Sequence, residues 1–182
     1  MEGCLSTLRR SDVVGLPAFG QEDGRPAGRV SDLLFSGRGE RVIGLLLQGG
    51  TWWRRRLIPF EEVAAIGPAA VMLRRPVVLA ARDGLPMRRL RRPHAQWLGL
   101  RVLTPDGRDL GIVEDVCFEP GAGGAVTGYL VSRGLVADVV EGKGFLPLHR
   151  VRRGVRADPD AEPALIARDD GADGPILLVP PV

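Results

Sequence analysis

Gly28-Arg29-Val30-Ser31-Asp32-Leu33-Leu34-Phe35 returns later as Gly111-Ile112-Val113-Glu114-Asp115-Val116-Cys117-Phe118. Gly, Val, Asp and Phe hold their places in both, so the chain contains one unit written twice. The match runs outward from there. Upstream, Gly15-Leu16 answers to Gly99-Leu100, and Asp23-Gly24-Arg25 to Asp106-Gly107-Arg108. Downstream, Val42-Ile43-Gly44-Leu45-Leu46-Leu47 answers to Val126-Thr127-Gly128-Tyr129-Leu130-Val131, and Ile58-Pro59 to Leu146-Pro147. The offset drifts from about 83 to about 88 residues, so the second copy carries small insertions of the kind surface loops accept. Two copies at so long a period indicate a duplicated domain and not a solenoid.

Each copy has the grammar of short β-strands. Asp-Gly turns between apolar runs are a strong hairpin signal. A second hairpin turns at residues 36–40 in one copy and 119–124 in the other. The expected strands of the first copy are 13–19, 29–35, 42–47, 53–59 and 71–73, with 77–81 as a last one. A helical turn is expected within 59–66, with Glu61 and Glu62 near its positive end. The run 42–47 is apolar throughout and reads as a strand buried on both faces. Within 29–35 the alternation breaks at Ser31-Asp32, and again at Glu114-Asp115, which predicts a bulge in each copy. Asp32 and Asp115 then accept backbone N–H groups freed by the bulge, in preference to holding a ligand or metal. In the second copy a closing hairpin is expected from 164–167 and 176–179.

With five or six strands in a half of roughly 80 residues, each copy is expected to close into a small barrel, which removes sheet edges. The expected class is therefore all-β, as two tandem barrels packed as a pseudo-dimer. The first barrel takes residues 1–81, an Arg-rich linker 82–95, and the second barrel 96–182. A chain of 182 residues accommodates two such domains.

The order Gly-Leu, Asp-Gly, Gly-x-Val-x-Asp-x-x-Phe, Val-x-Gly-Leu, Pro-x-x-x-Val resembles the PRC-barrel family. That family includes the cytoplasmic domain of the photosynthetic reaction centre H subunit and the C-terminal domain of a ribosome maturation factor. The resemblance covers residues 8–80 best, including Trp52-Trp53-Arg54-Arg55-Arg56 before Leu57-Ile58-Pro59-Phe60. The second copy, about 96–180, lacks the Trp pair and the Arg triplet. The resemblance implies a docking module, since one relative docks a ribosomal protein and the other a membrane-embedded complex.

Composition narrows the function classes. Apolar residues make up 45% of the chain, enough for packed cores. Cys4 and Cys117 stand apart without a disulfide or zinc spacing, and Cys117 takes an apolar position of the repeat. No run approaches the roughly 18 apolar residues that span a bilayer, and the N-terminus has no apolar signal core, so a cytoplasmic location is expected. The net charge of +3 conceals an uneven distribution. Residues 74–96 carry seven arginines against Asp83 alone, while 97–182 are net acidic.

No phosphate loop, nucleophile elbow, dinucleotide fingerprint or metal-ligand spacing occurs, so no catalytic residue, cofactor or metal is expected. The two histidines, His94 and His149, each have arginines close in sequence. The binding surface is expected at Trp52, Trp53, Arg54, Arg55 and Arg56, because Trp and Arg dominate interface hot spots. Arg88, Arg89, Arg91 and Arg92 form its electrostatic flank. A protein partner is the leading expectation. RNA or the ribosome is the alternative, since Arg pairs with phosphates and bases stack on Trp. A third reading is peripheral docking on the cytoplasmic face of a membrane complex without insertion. Homo-oligomerisation is also compatible with the sequence.

Overall fold

The computed structural model describes residues 7–36, 39–49, 55–75, 98–103, 109–134, 144–153, 165–166 and 177–179. The chain divides into two units. Unit 1 holds residues 1–94 together with 118–126, and unit 2 holds 95–117 and 127–182.

Unit 1 begins with the short strand β1 (Leu8–Arg9) and one helical turn, α1 (Arg10–Val13). The sheet strands follow as β2 (Pro17–Gly20), β3 (Pro26–Phe35), β4 (Val42–Gln48), β5 (Arg55–Pro59), β6 (Val63–Ile66) and β7 (Val71–Leu73). A 3-10 turn, Phe60–Glu62, separates β5 from β6. The helical turn at the chain start replaces part of the strand expected over 13–19. Its cause is local: the Arg9 N–H donates to Asp12 Oδ2 at 3.0 Å, and the Arg9 guanidinium grips the same carboxylate. A four-residue element has no periodicity to read.

The sheet order is β5-β4-β3-β2-β7-β6. Its two ends, β5 and β6, are consecutive in sequence yet do not pair. The chain turns the corner between them through the 3-10 turn, so the sheet stays open where a closed barrel was expected. The same correction holds for unit 2, whose described strands run β11-β10-β9-β8-β14-β13-β12 without closing. These strands are β8 (Arg101–Leu103), β9 (Asp109–Glu119), β10 (Ala125–Ser132), β11 (Gly144–Pro147), β12 (Arg152–Arg153), β13 (Leu165–Ile166) and β14 (Leu177–Val179).

The repeat is legible in the registers. Pro17 and Ala18 lie opposite Arg29 and Gly28, and the ladder slips beyond Ala18. Arg101 and Val102 lie opposite Ile112 and Gly111, and the ladder slips beyond Val102. The paths differ at the far end. In unit 1, β7 runs parallel to β2. Among the described residues unit 2 has one strand more on that side, which reverses direction, so β14 runs antiparallel to β8. The closing hairpin read from the sequence is present as β13 paired with β14.

The bulge in β3 falls between Val30 and Asp32, as the broken alternation predicts. Asp32 Oδ1 accepts the Leu33 N–H at 2.8 Å, and Asp115 Oδ1 accepts the Val116 N–H at the same distance. The bulge moves Leu33 to the face that carries Val30. Leu33, Leu45, Leu47 and Ile58 are fully buried there, while Leu34 and Leu46 are buried on the opposite face. The strand β4 is thus buried on both sides, except at the half-exposed Ile43 and at Gln48 where it ends.

Gly44 marks a close approach of β5 to β4. A Cβ there would sit 2.8 Å from the Ile58 carbonyl oxygen and 2.9 Å from Leu57 Cδ1. Gly128 is crowded in the same way, by the Leu146 carbonyl and by Phe145 Cζ at 2.8 Å. In both copies a large side chain of the edge strand lies over the glycine of its neighbour.

The hairpin end 118–126 completes unit 1. The Val42 N–H donates to the Gly124 carbonyl at 2.7 Å, and the Val126 N–H to the Glu40 carbonyl at 2.9 Å. Phe118 meets Phe60 edge to face, with centroids 6.3 Å apart. Cys117 is buried, as its apolar position in the repeat predicts.

Candidate functional site

The predicted binding stretch leads into β5. Trp52, Trp53 and Arg54 lie outside the described residues, as do Arg88, Arg89, Arg91 and Arg92 of the expected flank. What the structure places is Arg55 and Arg56, at the start of an edge strand. The register fixes their neighbours: Arg55 stands opposite Gln48, and Arg56 opposite Leu47. Gln48 in turn stands opposite Arg29. Arg29, Gln48 and Arg55 therefore form one row across three strands. Arg29 and Gln48 are exposed, and the Arg29 guanidinium donates to the Gly15 carbonyl at 3.0 Å.

Arg56 has the parity of Ile58 and is half-buried at the rim of the core face, while Ile58 is fully buried. Leu57 has the opposite parity and is likewise half-buried. Alternation along 53–59 leaves neither face clean, since arginines and apolar residues fall on both. It did not reveal Arg29 as part of the same row, because membership depends on the pairing of β3 with β4.

Two ion pairs brace unit 1 around this edge. Glu62, buried at the end of the 3-10 turn, receives a two-pronged contact from the Arg75 guanidinium, with Arg75 Nε 2.9 Å from Oε2. The main chain adds to it, since the Arg74 N–H donates to the Glu62 carbonyl at 2.8 Å. On the other side of the sheet, Arg10 of α1 reaches Asp32 in the bulge, with its NH2 3.0 Å from Oδ1. Neither partner was legible in advance, being 13 and 22 residues from its carboxylate.

The Arg9 side chain holds the Asp12 carboxyl below the usual carboxylate range. In unit 2 the Arg101 guanidinium, and after it the Gly111 N–H, does the same for Asp109. A folded-state value below the ordinary 3.8 stabilises the fold above that pH, and the stability is lost as pH falls through the lowered value. Both carboxylates are well exposed, so the stability involved is small. In an NMR titration of the carboxyl carbons, Arg101→Ala is expected to raise the Asp109 midpoint toward the ordinary value and leave that of Asp12 in place. An unmoved Asp109 midpoint would show that the pair does not persist in solution.

Among the described residues no group of three or more His, Cys, Asp and Glu side chains is placed to hold a metal ion. His149 is exposed on the 3-10 turn Leu148–Arg150 that follows β11. No described helix is long and apolar enough to cross a membrane.

Comparison with known families finds a PRC-barrel domain at residues 6–77. The matched span runs from before β1 to beyond β7 and contains the Gly28–Phe35 stretch, α1 and the β5 edge. No curated protein matches the chain.

Proposed function

We propose that this chain is a non-catalytic adaptor whose PRC-barrel domain docks a partner protein along β5 and the Trp52–Arg56 stretch leading into it. The observation that carries the reading is the position of β5: among the described residues it ends the sheet of the domain, and it begins with Arg55 and Arg56. An edge strand offers unpaired backbone groups, and Trp and Arg are the side chains most often central to interfaces. PRC-barrel domains often act as interaction modules, and the sequence carries no motif that specifies a reaction.

The second copy is, in this reading, a diverged unit of the same kind. Its strands β9, β10 and β11 keep the order of β3, β4 and β5, and its glycines Gly111 and Gly128 stand under the same crowding as Gly28 and Gly44. Its edge lacks the Trp-Arg stretch, so the charged docking surface belongs to the first copy. Arg88, Arg89, Arg91 and Arg92 add long-range attraction for an acidic partner.

The test is capture from native cell extract on the immobilised chain, beside the triple variant Arg54→Ser, Arg55→Ser, Arg56→Ser. A defined protein is expected to survive nuclease and raised salt on the parent chain. The variant should retain it at least about tenfold more weakly, with an unchanged urea midpoint. Equal retention by the variant rejects the surface. Capture abolished by nuclease, with a steep dependence on salt, replaces the protein partner with RNA.

A further inference from the structure

We infer that the β5 edge binds its partner by strand addition, taking an extended acidic segment as the next strand of the sheet. This rests on the docking reading above and specifies its chemistry. Pro59 sets the phase. It stands opposite Gly44 and has no N–H, so this pair cannot exchange two hydrogen bonds. The Ile58 carbonyl confirms the phase, because it presses on Gly44 and therefore faces β4. Antiparallel pairs alternate, so Ile58 and Arg56 are bonded to β4, while Leu57 and Arg55 turn their N–H and C=O groups outward. The edge thus presents two donors and three acceptors, the Pro59 carbonyl included. Among the described residues, no backbone group of a turn or loop bonds to them.

The side chains select the segment. Arg55 and Arg56 hold adjacent register positions of opposite parity, so neighbouring residues of an added strand would each stand opposite one arginine. Cross-strand pairs of opposite charge are favourable and like charges are not. An antiparallel segment with an apolar residue opposite Leu57, followed by carboxylates opposite Arg56 and Arg55, is the complementary pattern. Arg29, in the same row as Arg55, adds positive charge on one face. Unit 2 supplies an internal control. Pro147 stands opposite Gly128, so the phase is the same and Phe145 faces outward on the β11 edge. That edge carries an exposed phenyl ring where β5 carries Leu57.

The test is amide hydrogen exchange of the full chain with a synthetic peptide of about eight residues, the usual strand length, with alternating Val and Thr followed by two Glu, the order an antiparallel added strand requires. Saturating peptide is expected to slow exchange at Leu57 and Arg55 at least about tenfold and to leave Phe145 unchanged. A peptide N-methylated at alternate residues should bind about tenfold more weakly or worse, since it loses the donors that face β5. Replacing its Glu residues with Lys should abolish binding. Slowing at Phe145 in place of Leu57 overturns the proposal, as does absence of binding. If binding is lost in the triple Arg→Ser variant but Leu57 shows no protection, the docking surface stands and strand addition falls.

Discussion

Gly28→Ala and Gly111→Ala are each expected to destabilise the protein by about 3 kcal/mol. Two penalties coincide at these positions. The backbone is in the left-handed half of conformational space, at φ +130° for Gly28 and +117° for Gly111. An L side chain there costs about 1–2 kcal/mol. The added Cβ also meets a backbone carbonyl, that of Gln48 at 2.6 Å for Gly28 and that of Ser132 for Gly111. Gln48 cannot withdraw freely, because it is paired with Arg29 on one side and Arg55 on the other. Overpacking against so fixed a neighbour adds about 1–3 kcal/mol. Gly15→Ala and Gly99→Ala separate the two terms. Those glycines have φ +93° and +83° but open space around the missing Cβ, so only the conformational cost applies. Urea unfolding of the four variants checks the argument. If Gly28→Ala costs no more than Gly15→Ala, the Gln48 carbonyl does not press on Gly28 in solution.

This is also why the Gly-x-Val-x-Asp-x-x-Phe stretch was the most legible part of the sequence. Each fixed residue does a separable physical task. The glycine admits the neighbouring carbonyl, the valine enters the core, the aspartate satisfies the bulge, and the phenylalanine resumes the core after it. Phe35 and Phe118 are both buried. Patterns within one strand survive in sequence because the side-chain period is fixed at two. What failed to show was set by the pairing of distant segments. Whether β5 meets β6 depends on the 3-10 turn between them and not on the residues of either strand. The extra strand of unit 2 lies in a stretch where the copies no longer correspond. The candidate site divides in the same way. Arg55 and Arg56 were found from composition, whereas Arg29 entered only through the register of β3 on β4. The outward phase of Leu57 follows from Pro59, a residue visible in the sequence whose meaning needed its partner, Gly44.

Arg10→Ala is expected to cost about 3 kcal/mol, because it takes the guanidinium away from a carboxylate that the fold has nearly removed from water. The Arg10 and Asp32 side chains are only 18% and 14% exposed, and both Nε and NH2 of Arg10 contact Asp32 Oδ1. Breaking a buried pair from one side typically costs about 3–5 kcal/mol, and the residual exposure places this one at the lower end. The Leu33 N–H still donates to Asp32 in the variant, which bounds the loss. Asp32→Asn is expected to cost less, about 1–2 kcal/mol. An amide oxygen still accepts the Leu33 N–H, and the long Arg10 side chain can carry its charge back to water. The pair also has a positional task. It ties α1 to the bulge of β3, where Val13 is fully buried and Leu34 is held from water. Combining Arg10→Met with Asp32→Asn distinguishes the ionic role from the positional one. If charge burial dominates, the double variant recovers at least about 1 kcal/mol relative to the sum of the single losses. Strict additivity would instead mean that Arg10 holds α1 in place through its packing, and that Asp32 serves the bulge alone.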